Sequence, residues 1–372
     1  MIFRLTSKKP IVIVGNGCRG ALAVDTLHRF YDKTQIPILT TMNAVDLIQD
    51  KNKIGFIGVY GNRIANMIVS ESDLVIAIGA RLGLRQIGNK KEYFAPKAHL
   101  IRADIDQYEL GRNIKDNEEK YLVDANDFLI RLLGEDIPRY SEWNKACLEA
   151  RDYLSKYDKD LGNLCLEKIS SLLPVNPIVS IDIGQAQCWA AQSLTLKGDS
   201  GRILIGGSYG SMGCGLPYAI GACAAEKNNR VFCITGDGGL QMNIQELQTV
   251  FSEKLPIKIF VINNKVLGKI SEIQAGSYDG RFCITTSTSG YSVPDFEKVA
   301  IAYGIKAKTF DGFNNLEECS DWLEDDDPCL INVVLPEDTK LLPKMNWNER
   351  EMKPLLDKNV MDKAIELLSI VN

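Results

Sequence analysis

The sequence of 372 residues is long for one domain and suits two, at about 100–200 residues each. Its 43 basic and 48 acidic side chains leave a net charge of −5, which disfavours a nucleic acid or an anionic membrane surface as the main partner. With 45% hydrophobic and 24% charged residues the chain has the apolar mass of a folded globular protein. No apolar run reaches the roughly 18 residues of a membrane-spanning helix.

The N-terminal stretch MIFRLTSKKPIVIVG has no long apolar segment followed by a small-residue cleavage site. No signal peptide is therefore expected, and the chain is assigned to the cytoplasm. Ile11–Gly15 (IVIVG) is the first short apolar run ending in glycine; Ile36–Thr40, Leu74–Gly79 and His99–Ile105 repeat it. Helix-like stretches Ala21–Tyr31 and Arg63–Ser70 lie between them, and Asp127–Leu133 closes this half. Short β-branched runs separated by amphipathic segments predict a parallel sheet with helices on its faces. Gly15–Gly20 (GNGCRG) matches G-x-G-x-x-G between a strand and a helix, the context of a dinucleotide site. The second strand, however, ends in Thr40-Thr41-Met42-Asn43, without the acidic residue that holds a ribose. A tight strand-to-helix turn favours glycine with or without a ligand. A purely structural turn, a flavin or other nucleotide, and NAD all stay open at this point.

Gly134–Asp160 is polar, charge-rich and contains Pro138. It is read as part of a linker and helix over 136–165, between a domain over 1–135 and one over 166–372. The β/α rhythm resumes at Ile178–Asp182 and continues through Val231–Thr235, Ile257–Ile262 and Leu330–Leu335. The fold class is therefore α/β, with two doubly wound, mostly parallel sheets. Asp321–Pro328 is read as a solvated helix end and loop. Ten cysteines form no C-x-x-C pair, and only His28 and His99 could join them around a metal. Buried reduced thiols are expected rather than zinc or a disulfide framework.

The chemistry gathers in the second half. Gly236-Asp237-Gly238-Gly239 follows the strand Val231–Thr235, and Asn263-Asn264 follows Ile257–Ile262. The spacing leaves room for a loop, one helix and the next strand, so both side chains fall at carboxyl ends of parallel strands, where ligands bind. If the strands are neighbours, a carboxylate and an amide oxygen converge. Hard oxygens of that kind suit Mg²⁺, which completes its shell with phosphates and water. Gly238 and Gly239 allow backbone N–H groups to approach a phosphate. Asn243 with Glu246 reads as a capping box for the intervening helix, whose apolar stripe is Ile244, Leu247 and Phe251.

GDG followed by NN resembles the signature of thiamine-diphosphate enzymes of the acetohydroxyacid (acetolactate) synthase superfamily. Asp182-Ile183-Gly184-Gln185 and the following helix resemble that family's diphosphate-side loop. Gly207–Pro217 (GSYGSMGCGLP) resembles its pyrimidine-binding turn, and Pro10–Leu133 its central, Rossmann-like domain, including Gly79-Ala80-Arg81 and Asp104-Ile105-Asp106. The resemblance implies roles. Asp237, Asn264 and the Val266 carbonyl would hold Mg²⁺. Gly184, Gln185, Gly238 and Gly239 would line the diphosphate. The backbone of Gly210 and Met212 would meet the aminopyrimidine, and Met212 would wedge beneath the cofactor to bend it. The implied reaction is decarboxylation of a small 2-oxo acid such as pyruvate, with transfer of the remaining fragment to a carbonyl acceptor.

Several positions depart from the family. Ala186 stands where relatives carry His or Asn, and Lys269 and Ile273 replace Met and Trp of true acetohydroxyacid synthases. Gly83 and Leu84 depart from the flavin-binding pattern, so FAD is not expected. Gly290–Ile305 looks more like relatives from sugar and surface-polysaccharide pathways. No segment matches the N-terminal pyrimidine domain, which supplies the activating glutamate; the expected partners are a homo-oligomer or a separate pyrimidine-domain subunit acting in trans. A non-catalytic or truncated thiamine-diphosphate-binding homologue and a nucleotide-binding oxidoreductase using GNGCRG are the alternatives.

Overall fold

The computed structural model describes residues 7–48, 50–207, 209–226 and 229–369. The chain divides into two compact units, one of residues 1–159 with 342–372 and the other of 160–341.

In the first unit β1 (Pro10–Val14), β2 (Ile38–Thr40), β3 (Leu74–Ile78), β4 (His99–Asp104) and β5 (Glu119–Leu122) form one parallel sheet in the order β2-β1-β3-β4-β5. Successive strand residues serve opposite faces. Ile11, Ile13, Val75 and Ala77 pack with the helices Arg63–Glu71 and Ser141–Leu154. Val12, Val14, Ile76 and Ile78 pack with Leu27 and Phe30 of the helix Val24–Thr34 and with Phe128 and Leu132 of Ala125–Gly134. Cover on both faces explains why these strands read as unbroken apolar runs.

The turn after β1 meets the turn after β3 at very close range. A Cβ on Gly15 would lie 2.0 Å from the Gly79 carbonyl oxygen, and one on Gly17 2.8 Å from Gly79 Cα. The amides of Gly15 and Gly17 donate to the carbonyls of Ile78 and Gly79. Those of Cys18, Arg19 and Gly20 are spent within the turn itself. These glycines answer to backbone packing, and the committed amides leave no phosphate cradle among these five residues.

The first unit's limits differ from the sequence reading. Trp143, Ala146, Cys147, Ala150 and Leu154 recur at helical spacing and are buried in the first core, so Ser141–Leu154 is part of that unit rather than a linker. Ala364 and Leu368 of the helix Lys358–Ser369 join the same core, so the tail is not an extension of the second domain.

In the second unit β6 (Ile178–Ile181), β7 (Arg202–Ile205), β8 (Val231–Gly236), β9 (Ile257–Asn263), β10 (Lys306–Asp311) and β11 (Cys329–Val334) form a six-stranded parallel sheet, ordered β10-β11-β9-β8-β6-β7. One core cluster includes Val231, Cys233, Ile257, Ile259, Leu247 and Phe296. The capping box is not formed. Asn243 gives its side-chain amide to the Gly213 carbonyl at 2.8 Å, and Glu246 accepts from Thr249 instead. Phe251, placed on the apolar stripe, is 47% exposed.

Eight of the ten cysteines are buried, while Cys214 is half-buried and Cys283 exposed. Among the described residues no helix is long and apolar enough to cross a membrane.

Candidate functional site

β8 and β9 are neighbours in register, with Gly236 opposite Ile262. The GDGG turn and the NN pair therefore leave the sheet side by side. Asp237 opens the helix Asp237–Met242 and is 2% exposed. Its Oδ1 accepts from the Gly238 amide at 2.5 Å and from the Tyr291 hydroxyl at 2.9 Å. Its Oδ2 accepts from the Lys265 amide at 2.7 Å, tying the chain just after Asn264 to this carboxylate. The Val266 amide also favours the charged form. Burial nevertheless outweighs these bonds and pushes the carboxyl up to about 6. Among the described residues no lysine or arginine side chain pairs with it. A buried carboxylate without a protein cation is the kind of group a divalent metal holds in its charged form.

The two asparagines divide their duties. Asn263 donates to Asn332 Oδ1 at 3.2 Å, and Asn332 in turn donates to Thr309, stitching β9, β11 and β10 together. Asn264, 5% exposed, donates to Gln185 Oε1 at 2.9 Å. Its own oxygen accepts from none of the described residues. Asn264 thus fits the predicted ligand role, whereas Asn263 is a sheet tie. No cluster of three or more His, Cys, Asp or Glu that could hold a metal occurs among the described residues. A cation here would draw on one carboxylate, an amide oxygen and backbone oxygens, with phosphate or water to complete its shell. That donor set fits Mg²⁺.

Asp182, at the end of β6, organises the facing turn. Its Oδ1 accepts from the amides of Ile183 and Gly213, and its Oδ2 from Thr235 Oγ1 at 3.0 Å. Burial raises its carboxyl, and these bonds oppose the rise. The Gly213 carbonyl accepts from Asn243, so the turn carrying Gly210, Met212 and Gly213 is held from both sides. Ser208, in the same motif, lies outside the described residues. Met212 is half-exposed, and its Cε would stand 3.3 Å from a Cβ on Gly238, which brings the two motifs together. A Cβ on Gly238 would also meet Leu267 at 2.5 Å, and one on Gly239 would meet Asp182 Oδ2 at 2.6 Å. At Gly239 glycine answers to the fixed Asp182 carboxylate even before any phosphate is considered, whereas the neighbours of Gly238 are side-chain ends that can shift.

Gly184 N-caps the helix Gln185–Ser193, whose first-turn amides have no partner inside the helix. The Gln185 side chain is already occupied by Asn264, Glu272 and the Thr339 carbonyl. Ala186 is buried, and Ile273, on the helix Gly268–Ser277 with Lys269, is 44% exposed. Tyr291, Thr235 and Glu272 belong to the site but are not among the predicted site residues; Tyr291 lies in the segment Gly290–Ile305, whose resemblance gave it no role. Sequence reasoning could reach them only through the fold, because nothing local links Tyr291 to a carboxylate 54 residues earlier.

Comparison with known proteins gives the same two-part division. The thiamine pyrophosphate enzyme central-domain model matches residues 5–132, and the C-terminal TPP binding domain model matches residues 182–333. The acetolactate synthase isozyme 2 large subunit of Escherichia coli (strain K12) is 34% identical over 339 residues, covering 89% of this chain and 60% of that protein. The acetolactate synthase large subunit of Porphyra purpurea is 32% identical over 351 residues, covering 91% and 58%. That of Lactococcus lactis subsp. lactis (strain IL1403) is 32% identical over 347 residues, covering 91% and 59%. The chain thus spans at most 60% of the length of these relatives.

Proposed function

The chain belongs to the thiamine pyrophosphate enzymes, with their central and C-terminal domains, and from that premise we propose that it is the diphosphate- and Mg²⁺-binding part of a 2-oxo acid decarboxylase and carboligase. The observation that carries the reading is Asp237, a buried carboxylate without a described basic partner, beside Asn264 at the ends of adjacent strands. In this reading Asp237, Asn264 and the Val266 carbonyl hold Mg²⁺. The backbones of Gly184, Gln185, Gly238 and Gly239 line the diphosphate, and helix-start amides supply the donors. Gly210 and Met212 meet the aminopyrimidine, with Met212 as the wedge under the ring system. Bound thiamine diphosphate supplies a thiazolium that takes up the electrons released as a 2-oxo acid loses CO₂.

The reading includes a pyrimidine-side domain acting in trans, supplied by a separate subunit. Its support is the uncovered apolar surface beside the turn, where Tyr209 is 97% and Met242 56% exposed. Such a domain would cover these side chains and bring the activating glutamate to the aminopyrimidine. The committed amides of the GNGCRG turn speak against a nucleotide oxidoreductase.

Calorimetry of thiamine diphosphate binding tests the proposal. Binding is expected to need Mg²⁺ and to weaken at least tenfold in Asp237→Ala, because the bridging cation is lost. Equal affinity without Mg²⁺, or in the variant, overturns the assignment.

A further inference from the structure

We propose that Gln185 is a positioning residue that decides which end of the Asn264 side-chain amide can meet a cation. The inference rests on the reading above that Asn264 is a metal ligand. An asparagine amide offers an oxygen, which can ligate a cation, and an N–H₂ group, which cannot; half a turn about χ2 exchanges them. Something must fix that choice, and the contacts around Gln185 do so step by step.

The Thr339 carbonyl can only accept, so the Gln185 atom 3.3 Å from it is the nitrogen. The same nitrogen lies 3.0 Å from Glu272 Oε1, an oxygen that also accepts from the Leu341 amide at 3.1 Å. Both N–H groups of Gln185 are thereby engaged. Its oxygen occupies the other branch, 2.9 Å from Asn264, and only the Asn264 N–H₂ group can meet it there. Asn264 is left with its oxygen on the branch away from Gln185, accepting from none of the described residues. A fixed backbone acceptor thus sets the polarity of Gln185, and Gln185 sets that of Asn264.

The relay is built into the packing. Gln185 is 7% exposed and Asn264 5%, so bulk water has little access to replace either partner. Gly268 makes the room, since a Cβ there would stand 1.9 Å from Gln185 Oε1. The resemblance implies that Gln185 lines the diphosphate, without saying through which of its groups. Its amide is filled by protein partners, and contact with a diphosphate falls to the backbone at the helix start.

A double-mutant cycle tests the relay, with Mg²⁺ affinity measured by calorimetry on the full chain at saturating thiamine diphosphate. The variants are Gln185→Met, Asn264→Asp and their combination. A carboxylate has oxygen on both branches and needs no orientation. Gln185→Met is expected to weaken Mg²⁺ binding about 10–100-fold when Asn264 is present. In the Asn264→Asp background it should cause no loss, since Gln185 Oε1 there only opposes another oxygen. An equal loss in both backgrounds, as a diphosphate contact or a general packing role would give, overturns the relay. If Gln185→Met fails to fold, Glu272→Leu probes the far end more gently. The expected loss is then about two- to fivefold, again only with Asn264 present, because Thr339 still holds one N–H. Should the unaltered chain bind no Mg²⁺ with thiamine diphosphate, the reading of the site falls and the relay with it.

Discussion

Tyr291 donates its hydroxyl to Oδ1 of Asp237 at 2.9 Å, joining two segments 54 residues apart in sequence. Burial and the adjacent Asp237 charge push the phenol well above its ordinary value, so it stays a donor throughout the physiological range. Tyr291→Phe leaves Oδ1 with the Gly238 amide alone. The metal-free chain is expected to lose about 1.5–3 kcal/mol at neutral pH, as for other hydrogen bonds to charged groups. The Asp237 carboxyl should rise further. Urea denaturation checks this, and unchanged stability would show that the bond contributes nothing.

The Asp237 carboxyl carries its own pH signature. Burial raises it from 3.8 to about 6 in the folded chain. Between those values the folded state holds the proton more firmly than the unfolded state does. Metal-free stability therefore falls as pH rises from about 4 to about 6, by roughly 3 kcal/mol from this group. Asp182 and Asp158 are raised by burial as well and add slope of the same sign. Asp237→Asn isolates the one contribution. Relative to the parent, the metal-free variant should gain roughly 3 kcal/mol between pH 4 and pH 7, over a pH-independent cost where its N–H₂ group faces a donor. A pH-independent difference between variant and parent would refute the shift.

The glycines of GNGCRG separate packing from ligand binding. Gly15→Ala would force a Cβ to 2.0 Å from the Gly79 carbonyl oxygen and should cost more than about 3 kcal/mol. Gly20 ends a helical turn with nothing within 4 Å of its virtual Cβ. Gly20→Ala should be neutral or stabilising by up to about 1 kcal/mol. Thermal melts of both variants decide it; comparable destabilisation at both positions would contradict the packing account.

Activity should depend on completion of the pyrimidine half of the pocket. The isolated chain with thiamine diphosphate, Mg²⁺ and pyruvate is expected to release negligible CO₂. Mixed with a pyrimidine-domain partner it should release CO₂ and condense the two-carbon fragment with a carbonyl acceptor. Robust turnover by the homogeneous chain alone, abolished by Asp237→Ala, would place the activating group within these residues.

Much of the fold was legible because its signals are local. Apolar runs such as Ile11–Val14 and Ile257–Ile262 must be strands covered on both faces, and glycines at their ends mark turns. GDGG and NN stood at strand ends for the same reason. The edge strands β5, β7 and β10 were not legible, because each lacks the full two-sided cover that produces an unbroken apolar run, and Glu119, Lys120 and Leu122 are exposed; the edge strand β2, buried throughout, was legible. Only the tertiary structure put β8 beside β9, drew Tyr291 to Asp237, and turned Asn243 from a helix cap into a clamp on Gly213. Only it returned the helix Lys358–Ser369 to the first core. Residue type states what a side chain can donate or accept. Which of several capable partners it meets is settled by strand order and packing, which bring together groups whose separation along the chain carries no local signal.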